Sequence, residues 1–230
     1  MIVAAALCPA PPLLARELTG GDPALPELRD ACGEVTRRLL EAEPEAIAVV
    51  GAAPQTRLWD PASRLDLSVF APAARVPPGT PGLPPSLGLG VLLLDQAGYT
   101  GRRILQAVGQ EEPTAACVEL GERLAQPAER IALLVMADGS ARRSRRAPGY
   151  FDERSADFDA AVERAIRAGD LDALAAVDPG LARELMATGR PAWQVLSGAM
   201  RGLRPAADVL YAGDPFGVAY LVAALRTTAP

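Results

Sequence analysis

The chain contains no histidine, and all 23 of its basic residues are arginine, so lysine is absent as well. Histidine is the only side chain whose ordinary pKa lies between pH 5 and 8, and it is the commonest metal ligand. Its absence excludes a Ser-His-Asp triad, a Cys-His pair and an iron site built from two histidines and a carboxylate. The absence of lysine excludes Schiff-base chemistry and the lysine of a phosphate-binding loop.

Cysteine is sparse, because Cys8, Cys32 and Cys117 are the only three and no CxxC pair occurs. This spacing supports neither a zinc ribbon nor a disulfide framework, and reduced thiols in a cytoplasmic protein are the default expectation. Long apolar runs are absent too. The run at 87–94 is too short to cross a bilayer, and the run that opens the chain lacks a basic region and is interrupted by prolines, which favours a buried first strand over a signal peptide.

An excess of positive charge is also lacking, since the net charge is −5. The sequence therefore does not indicate a basic surface of the kind that binds nucleic acid. Half of the 230 residues are apolar, which is enough for a substantial core. No internal repeat or domain break is apparent. We therefore expect residues 1–230 to form one globular domain, with neither nucleic acid nor a membrane as its partner.

Periodicity predicts an α/β fold with a central, mostly parallel sheet flanked by helices. Buried strands are predicted at 2–7, 46–50 and 130–137, and a helix beginning at Asp22-Pro23 and ending near Glu43 separates the first two. The remaining predicted elements are a strand at 65–70, a surface loop at 71–85, helices at 86–96 (capped by Ser86 and closed by Gly98), 114–125, about 151–165 and 178–189, a helix from 191, a strand at 209–212, a turn at Asp214-Pro215 and an apolar strand or helix at 218–225.

Four segments follow predicted strands, and ligands of open α/β sheets bind outside the carboxyl ends of strands. They are 8–14, 51–56, 138–144 and 212–217. The polar side chains that they offer are few: Cys8, Gln55, Thr56, Asp138, Ser140 and Asp214. This set predicts a candidate pocket.

Each candidate has a structural alternative. Cys8 is a potential nucleophile, but a free cysteine is more often a small buried apolar side chain. Asp138 is either a general base or the start of an Asx turn over Gly139-Ser140, and neither is preferred. Asp214, which precedes a proline, is more typical of a turn.

Arginines and aromatic residues give a further signal. Arg142, Arg143, Arg145 and Arg146 predict either an anion site or, as the favoured alternative, a solvated loop. Trp59 and Trp193 either line a pocket or, more simply, pack against the core. GxGxxG, GxxxxGK[ST] and GxSxG motifs are absent, so nucleotide hydrolysis and α/β-hydrolase chemistry are poorly supported.

The order of segments resembles that of the B-type catalytic subunit of the class III extradiol ring-cleavage dioxygenases, in an uncharacterised bacterial branch of that family. The similarity is carried by CPAPPLL at 8–14, LLVMADGSARRSRRAPGYFDERSADFD at 133–159, WQVLSGA at 193–199 and DVLYAGDPFGVAYLVAAL at 208–225. It covers essentially the whole chain. The resemblance implies an α/β fold with a pocket at the strand ends.

The resemblance also implies an iron site, which this sequence does not retain. In that family two histidines and a glutamate hold Fe(II), and a further histidine acts as acid and base on bound catechol. Their positions would fall at Ala10, in the loop 52–55 and at Ala141, directly after Ser140. The glutamate has no clear counterpart, and Asp214 is the nearest carboxylate. We therefore expect no metal and no other cofactor.

These observations lead us to expect a non-catalytic member of that family, which binds a small molecule or a protein partner in the strand-end pocket. Two alternatives remain open: a metal-free enzyme using Cys8, Asp138 or Tyr150, and, least favoured, a ring-cleavage dioxygenase with unusual ligands. A homo-oligomer is compatible with the sequence. The pocket is expected to be lined by Cys8, Ala10, Gln55, Asp138, Ser140, Ala141, Arg142 and Asp214.

Overall fold

The computed structural model describes residues 1–18, 25–66, 70 and 82–227. The predicted helix start at Asp22-Pro23 lies outside the described residues. So do positions 67–69 of the predicted strand at 65–70, and positions 71–81 of the predicted loop.

Nine strands are present in the described residues. They are β1 (Ile2–Cys8), β2 (Ala46–Ala53), β3 (Arg57–Trp59), β4 (Arg64–Leu65), β5 (Gly82–Leu83), β6 (Arg102–Gly109), β7 (Ile131–Met136), β8 (Pro205–Gly213) and β9 (Tyr220–Thr227). Seven of them form one sheet in the order β3-β6-β2-β7-β1-β9-β8, and β4 pairs with β5 separately.

The sheet is mostly parallel. Strands β6, β2, β7 and β1 run in the same direction, while β3 and β9 are antiparallel to their neighbours. Because β8 is antiparallel to β9, it points the same way as β1. The carboxyl ends of β1, β2, β6, β7 and β8 therefore meet at one edge of the sheet, called the carboxyl edge below.

Helices cover both faces. They are α1 (Pro26–Glu41), α2 (Pro85–Gln96), α3 (Thr114–Ala125), α4 (Arg154–Ala168), α5 (Leu171–Ala175), α6 (Pro179–Glu184) and α7 (Arg190–Ala199). Two apolar cores result, one between the sheet and α1–α2, and one between the sheet and α3–α7. The described part of the chain is thus a single α/β domain, and it has no helix with both the length and the apolar character needed to cross a bilayer.

The two faces explain why the central strands are apolar throughout. Successive side chains of β1 enter opposite cores, with Leu7 on the α3–α7 face and Cys8 on the α1–α2 face. All six residues of β7 are buried. The prediction that these continuous apolar runs form strands covered on both sides is therefore confirmed.

Other predictions differ from the structure. Strand β6 was not predicted, and the ambiguous segment at 218–225 is the antiparallel strand β9. Ser86 lies inside α2, where its hydroxyl donates to the Ala52 carbonyl over 2.8 Å instead of capping the helix. The helix predicted to reach Gly189 ends at Glu184, because the next residues form turns that lead directly into α7.

Helices α3 and α7 approach each other backbone to backbone through two glycines. A Cβ atom placed on Gly121 would overlap the Val195 carbonyl oxygen, and one placed on Gly198 would overlap the Val118 carbonyl oxygen. Only glycine permits so close an approach from both sides. This contact fixes the position of α7, which carries Arg190 and Trp193.

Candidate functional site

The segments at 8–14 and 138–144 meet at the carboxyl edge. The main-chain N–H of Ala10 donates to Asp138 Oδ1 over 2.8 Å, and the N–H of Ala137 donates to the Cys8 carbonyl over 2.8 Å. The two loops predicted to face one another therefore do so, with Asp138 as the link between them.

Asp138 is partly buried, and burial raises the pKa of its carboxyl group to about 6 despite the opposing hydrogen bond from Ala10. Burial, followed by the nearby Asp138 charge, also raises the pKa of Tyr220. The amides of Gly139 and Ser140 donate to other groups, so the Asx turn, one of the two alternatives for Asp138, is not formed. An aspartate in this setting carries a proton at weakly acidic pH.

Cys8 lies on the α1–α2 face of the sheet, where it is fully buried against Cys32 of α1. Burial, followed by its contact with Cys32, raises the pKa of the Cys8 thiol well above its ordinary value. A nucleophilic cysteine needs the opposite conditions, namely access and a lowered pKa. The geometry therefore fits the alternative in which Cys8 is a small apolar side chain of the core.

Ser140 is completely buried and is held by Asp159 of α4. Its N–H donates to Asp159 Oδ1 over 2.8 Å, and its hydroxyl donates to Asp159 Oδ2 over 2.6 Å. Burial raises the pKa of Asp159, although both of these hydrogen bonds and the charge of Arg143 oppose the change. Sequence reasoning missed Asp159. In the sequence, Asp159 is a carboxylate directly after Phe158, at the border of the buried face of an amphipathic helix.

The four arginines after Ser140 do not form one basic patch. Arg143 Nε donates to Asp214 Oδ2 over 2.8 Å and lies 3.8 Å from Asp159 Oδ2. Arg142 is turned inward, and its buried Nε has no hydrogen-bond partner. Arg145 and Arg146 are exposed. The four side chains therefore do not converge on one anion site, which was the less favoured alternative, since Arg143 is paired with Asp214 and Asp159.

A cavity of about 220 Å³ opens between α4 and the β8–β9 hairpin, and we call it the hairpin cavity. Trp193, which is 2% exposed, forms part of its wall. Its charged lining consists of Arg143, Asp159, Glu163 and Asp214. Asp214 also begins the predicted turn, because its carbonyl accepts the N–H of Gly217 over 2.9 Å.

The remaining predicted residues lie elsewhere. Gln55 is exposed, and its neighbour Thr56 is tied to the end of β6, where its hydroxyl donates to Glu112 Oε1 over 2.6 Å. Ala141 is buried and donates its N–H to the Leu185 carbonyl over 3.0 Å. Of the eight predicted lining residues, Asp214 borders the hairpin cavity, and the other seven do not: Cys8, Ala10, Gln55, Asp138, Ser140, Ala141 and Arg142.

The donor groups at the carboxyl edge do not fit an iron centre. Ala10 and Ala141 have no side-chain lone pair to offer, Asp138 Oδ1 accepts the Ala10 amide, and Asp214 is bound to Arg143. Within residues 1–18, 25–66 and 82–227, no three His, Cys, Asp or Glu side chains are grouped so that they could hold a metal ion. Ferrous sites of oxygenases use imidazole and carboxylate ligands.

No protein-family model matches the chain, and no curated protein is significantly similar to it. Among solved structures, the crystal structure of the uncharacterised protein JW3007 of Escherichia coli K12 is similar, with a TM-score of 0.54 and 14% sequence identity. The match covers 97% of this chain and 99% of that chain. At this identity the likeness shows a shared α/β fold over the full length of both chains, and nothing beyond the fold.

Proposed function

We propose that the protein is a non-catalytic relative of the B-type catalytic subunit of the class III extradiol dioxygenases, and that it binds a small molecule in the hairpin cavity. The observation that carries this proposal is the cavity itself, at the carboxyl edge, with an aromatic wall and a polar rim. Cavities at this position of an α/β sheet are where ligands are usually bound. A cytoplasmic location is part of the same proposal, in keeping with its free thiols.

The size of the cavity limits the ligand. A cavity of about 150 Å³ holds one benzene molecule, so 220 Å³ accommodates a single substituted ring. Trp193 and Tyr220 are the aromatic residues of the lining, and Ala156, Ala160 and Val162 are among its apolar residues. An aromatic or compact aliphatic molecule is the best fit.

Charge limits the ligand further. Three carboxylates, of Asp159, Glu163 and Asp214, line the cavity beside the single guanidinium of Arg143. This excess of negative charge disfavours an anionic ligand and favours one that is neutral or carries an amine. Ring cleavage is not part of the proposal, because alanine stands at both positions, 10 and 141, where the resemblance would put a histidine.

The proposal is tested by thermal shift and calorimetry with three probes of similar size: tyramine, catechol and benzoate. We expect tyramine or catechol at about tenfold above its Kd to stabilise the fold by about 1.4 kcal/mol, a rise in Tm of roughly 3–5 °C. Benzoate should bind at least several-fold more weakly than tyramine, since its charge is of the wrong sign.

Two neighbouring alanines of α4 provide a matched pair of variants. Ala160 lines the cavity, whereas Ala161 is exposed and does not. Ala160→Phe should abolish binding, and Ala161→Phe should retain it. If none of the three probes binds, or if Ala160→Phe binds as the unchanged protein does, the proposal is wrong. Conversion of catechol to a ring-opened product after addition of Fe(II) would contradict the non-catalytic assignment.

A further inference from the structure

Arg190, the first residue of α7, is a buried cation that is 3% exposed. Its Nη1 donates to the Glu112 carbonyl over 2.5 Å and to Gln194 Oε1 over 3.1 Å, and its Nη2 donates to the Gln110 carbonyl. Cys117 Sγ lies 3.9 Å from Nη1. The guanidinium thereby ties the turn after β6 to the start of α7.

All of these acceptors are neutral. In the described part of the chain, Arg190 forms no ion pair with a carboxylate within 4.0 Å. The side chain of the neighbouring Glu112 accepts from Thr56, and that of Glu111 pairs with Arg183 over 3.2 Å. Removing an isolated charge from water costs several kcal/mol, and buried charges in proteins are therefore normally paired. The positive charge of Arg190 is left without a counter-ion from the described residues.

The hydrogen-bonding capacity of Arg190 is also incomplete. A guanidinium has five N–H groups, and three oxygen acceptors are provided. The N–H of Nε and one N–H of Nη2 have no oxygen acceptor among the described residues. The Nε of Arg142 has no partner and is sealed from solvent, whereas the Nε of Arg190 is not sealed in this way. Two such N–H groups on one guanidinium are suited to bidentate binding of an oxyanion.

A cavity of about 170 Å³ has Arg190 in its lining, and we call it the Arg190 cavity. It lies at the carboxyl edge beyond β6, and Gln110, Thr188 and Pro191 are also in its lining. Glu111 and Arg183, which form an ion pair over 3.2 Å, line it too, so Arg190 is the charge of this lining that has no partner of opposite sign. Helix α7 begins here without a side-chain cap at Gly189. The positive end of the helix dipole therefore adds to the charge of Arg190.

We propose that the Arg190 cavity is a binding site for a small oxyanion, meaning a carboxylate or phosphate group that supplies the missing counter-charge. It is separate from the hairpin cavity, whose carboxylates favour the opposite charge, and it does not depend on the function proposed above. The oxyanion accepts hydrogen bonds from Arg190, with Thr188 and Arg183 at the cavity mouth.

Binding is measured by calorimetry and thermal shift with inorganic phosphate and with acetate, each against sodium chloride at the same ionic strength. We expect at least one of the two to bind and to raise Tm beyond the chloride control, and a preference between them identifies the class of oxyanion. Arg190→Gln should weaken binding at least tenfold. Arg123→Gln, which removes an exposed arginine of α3 that is not in the lining of this cavity, should leave the affinity unchanged.

Because Arg190→Gln also removes hydrogen bonds that hold the start of α7, a second pair of variants keeps Arg190. Thr188 is exposed and lines the cavity. Thr188→Glu brings a fixed carboxylate to the site and should bind oxyanions at least tenfold more weakly than Thr188→Gln, which has the same size and no charge. The proposal is overturned if neither oxyanion binds more tightly than chloride, if Arg190→Gln retains full affinity in a folded protein, or if the Glu and Gln variants behave alike.

Discussion

Ala10 and Asp138 are joined by a hydrogen bond of 2.8 Å from the main-chain N–H of one to the carboxyl group of the other. The bond links the ends of β1 and β7, the two central strands whose loops form this part of the carboxyl edge. Asparagine at position 138 can accept the same hydrogen bond without carrying a charge. Replacing Asp138 with asparagine therefore removes the charge while the hydrogen bond from Ala10 is kept.

For Asp138→Asn we predict a gain in stability that depends on pH. Burial raises the folded-state pKa of Asp138 to about 6 from 3.8, so the ionised form is the unfavourable one. Stability from the protonated carboxyl group is fully present below about pH 3.8 and is lost as pH rises through about 6. The variant and the unchanged protein should match near pH 4, and at pH 8 the variant should be more stable by on the order of 2–3 kcal/mol.

Urea unfolding of both proteins from pH 4 to pH 8 measures this difference. Asp157→Asn, at an exposed position of α4, controls for the loss of one negative charge and should show no such step. A difference between Asp138→Asn and the unchanged protein that stays constant over this range would contradict the prediction.

The three thiols should be inert in the folded protein. Burial raises the pKa of Cys8 well above its ordinary value and that of Cys117 to about 11, and Cys32 is fully buried. We expect Ellman's reagent at pH 8 to label none of them until guanidinium unfolds the chain, when all three react. One rapidly labelled thiol in the native protein would restore a cysteine nucleophile as a serious alternative.

Two glycine-to-alanine substitutions should have opposite effects. Gly198→Ala forces apart α3 and α7, which meet backbone to backbone, and should destabilise the protein by about 2–3 kcal/mol or more. Gly33 lies within α1 with nothing within 4 Å of an added Cβ. Gly33→Ala should therefore stabilise by about 0.5–1 kcal/mol, the difference in helix propensity. Denaturant unfolding measures both, and a destabilised Gly33→Ala or a neutral Gly198→Ala would refute the packing argument.

Ser140→Ala should destabilise the protein by about 1.5–3 kcal/mol, because the Asp159 carboxylate loses a buried hydroxyl donor. It should also raise the pKa of Asp159 further, since that hydrogen bond holds the pKa down. Ser144→Ala is a suitable control, because the Ser144 hydroxyl only accepts a 3.3 Å hydrogen bond from Arg146. Equal stability losses in the two variants would show that the Ser140–Asp159 pair is unimportant.

The strands with uninterrupted apolar runs could be predicted from the sequence, and β6 could not. Its first residues, Arg102 and Arg103, are polar, and Gln106 interrupts the apolar pattern. Gln106 is nevertheless buried, and its amide nitrogen donates to the Ala107 carbonyl over 2.8 Å. A buried polar side chain with its own hydrogen bond carries no signal in a hydropathy pattern.

The face on which a strand residue lies could not be predicted either. When both faces of a sheet are buried, alternation no longer marks an inner and an outer side. Cys8 and Asp138 both stand at strand ends, yet Cys8 enters the α1–α2 core while Asp138 turns towards Ala10. The segments that form the edge could thus be predicted, but not the directions of their side chains.

The hairpin cavity itself depends on helices distant in sequence. Asp159 comes from α4 and Trp193 from α7, and local periodicity places each of them only in an amphipathic or core-packing helix. Their meeting depends on how the α3–α7 layer packs, which such a pattern does not encode. Asp214 was the predicted residue that reached the cavity, because it lies on the hairpin at the same edge.

The β8–β9 hairpin is hydrogen-bonded to the rest of the sheet through β9 alone. Its loop supplies Asp214 to the hairpin cavity, whereas no residue of the four central parallel strands is in the lining. A substitution at Asp214 therefore changes the charge of the hairpin cavity without altering any residue of those four strands.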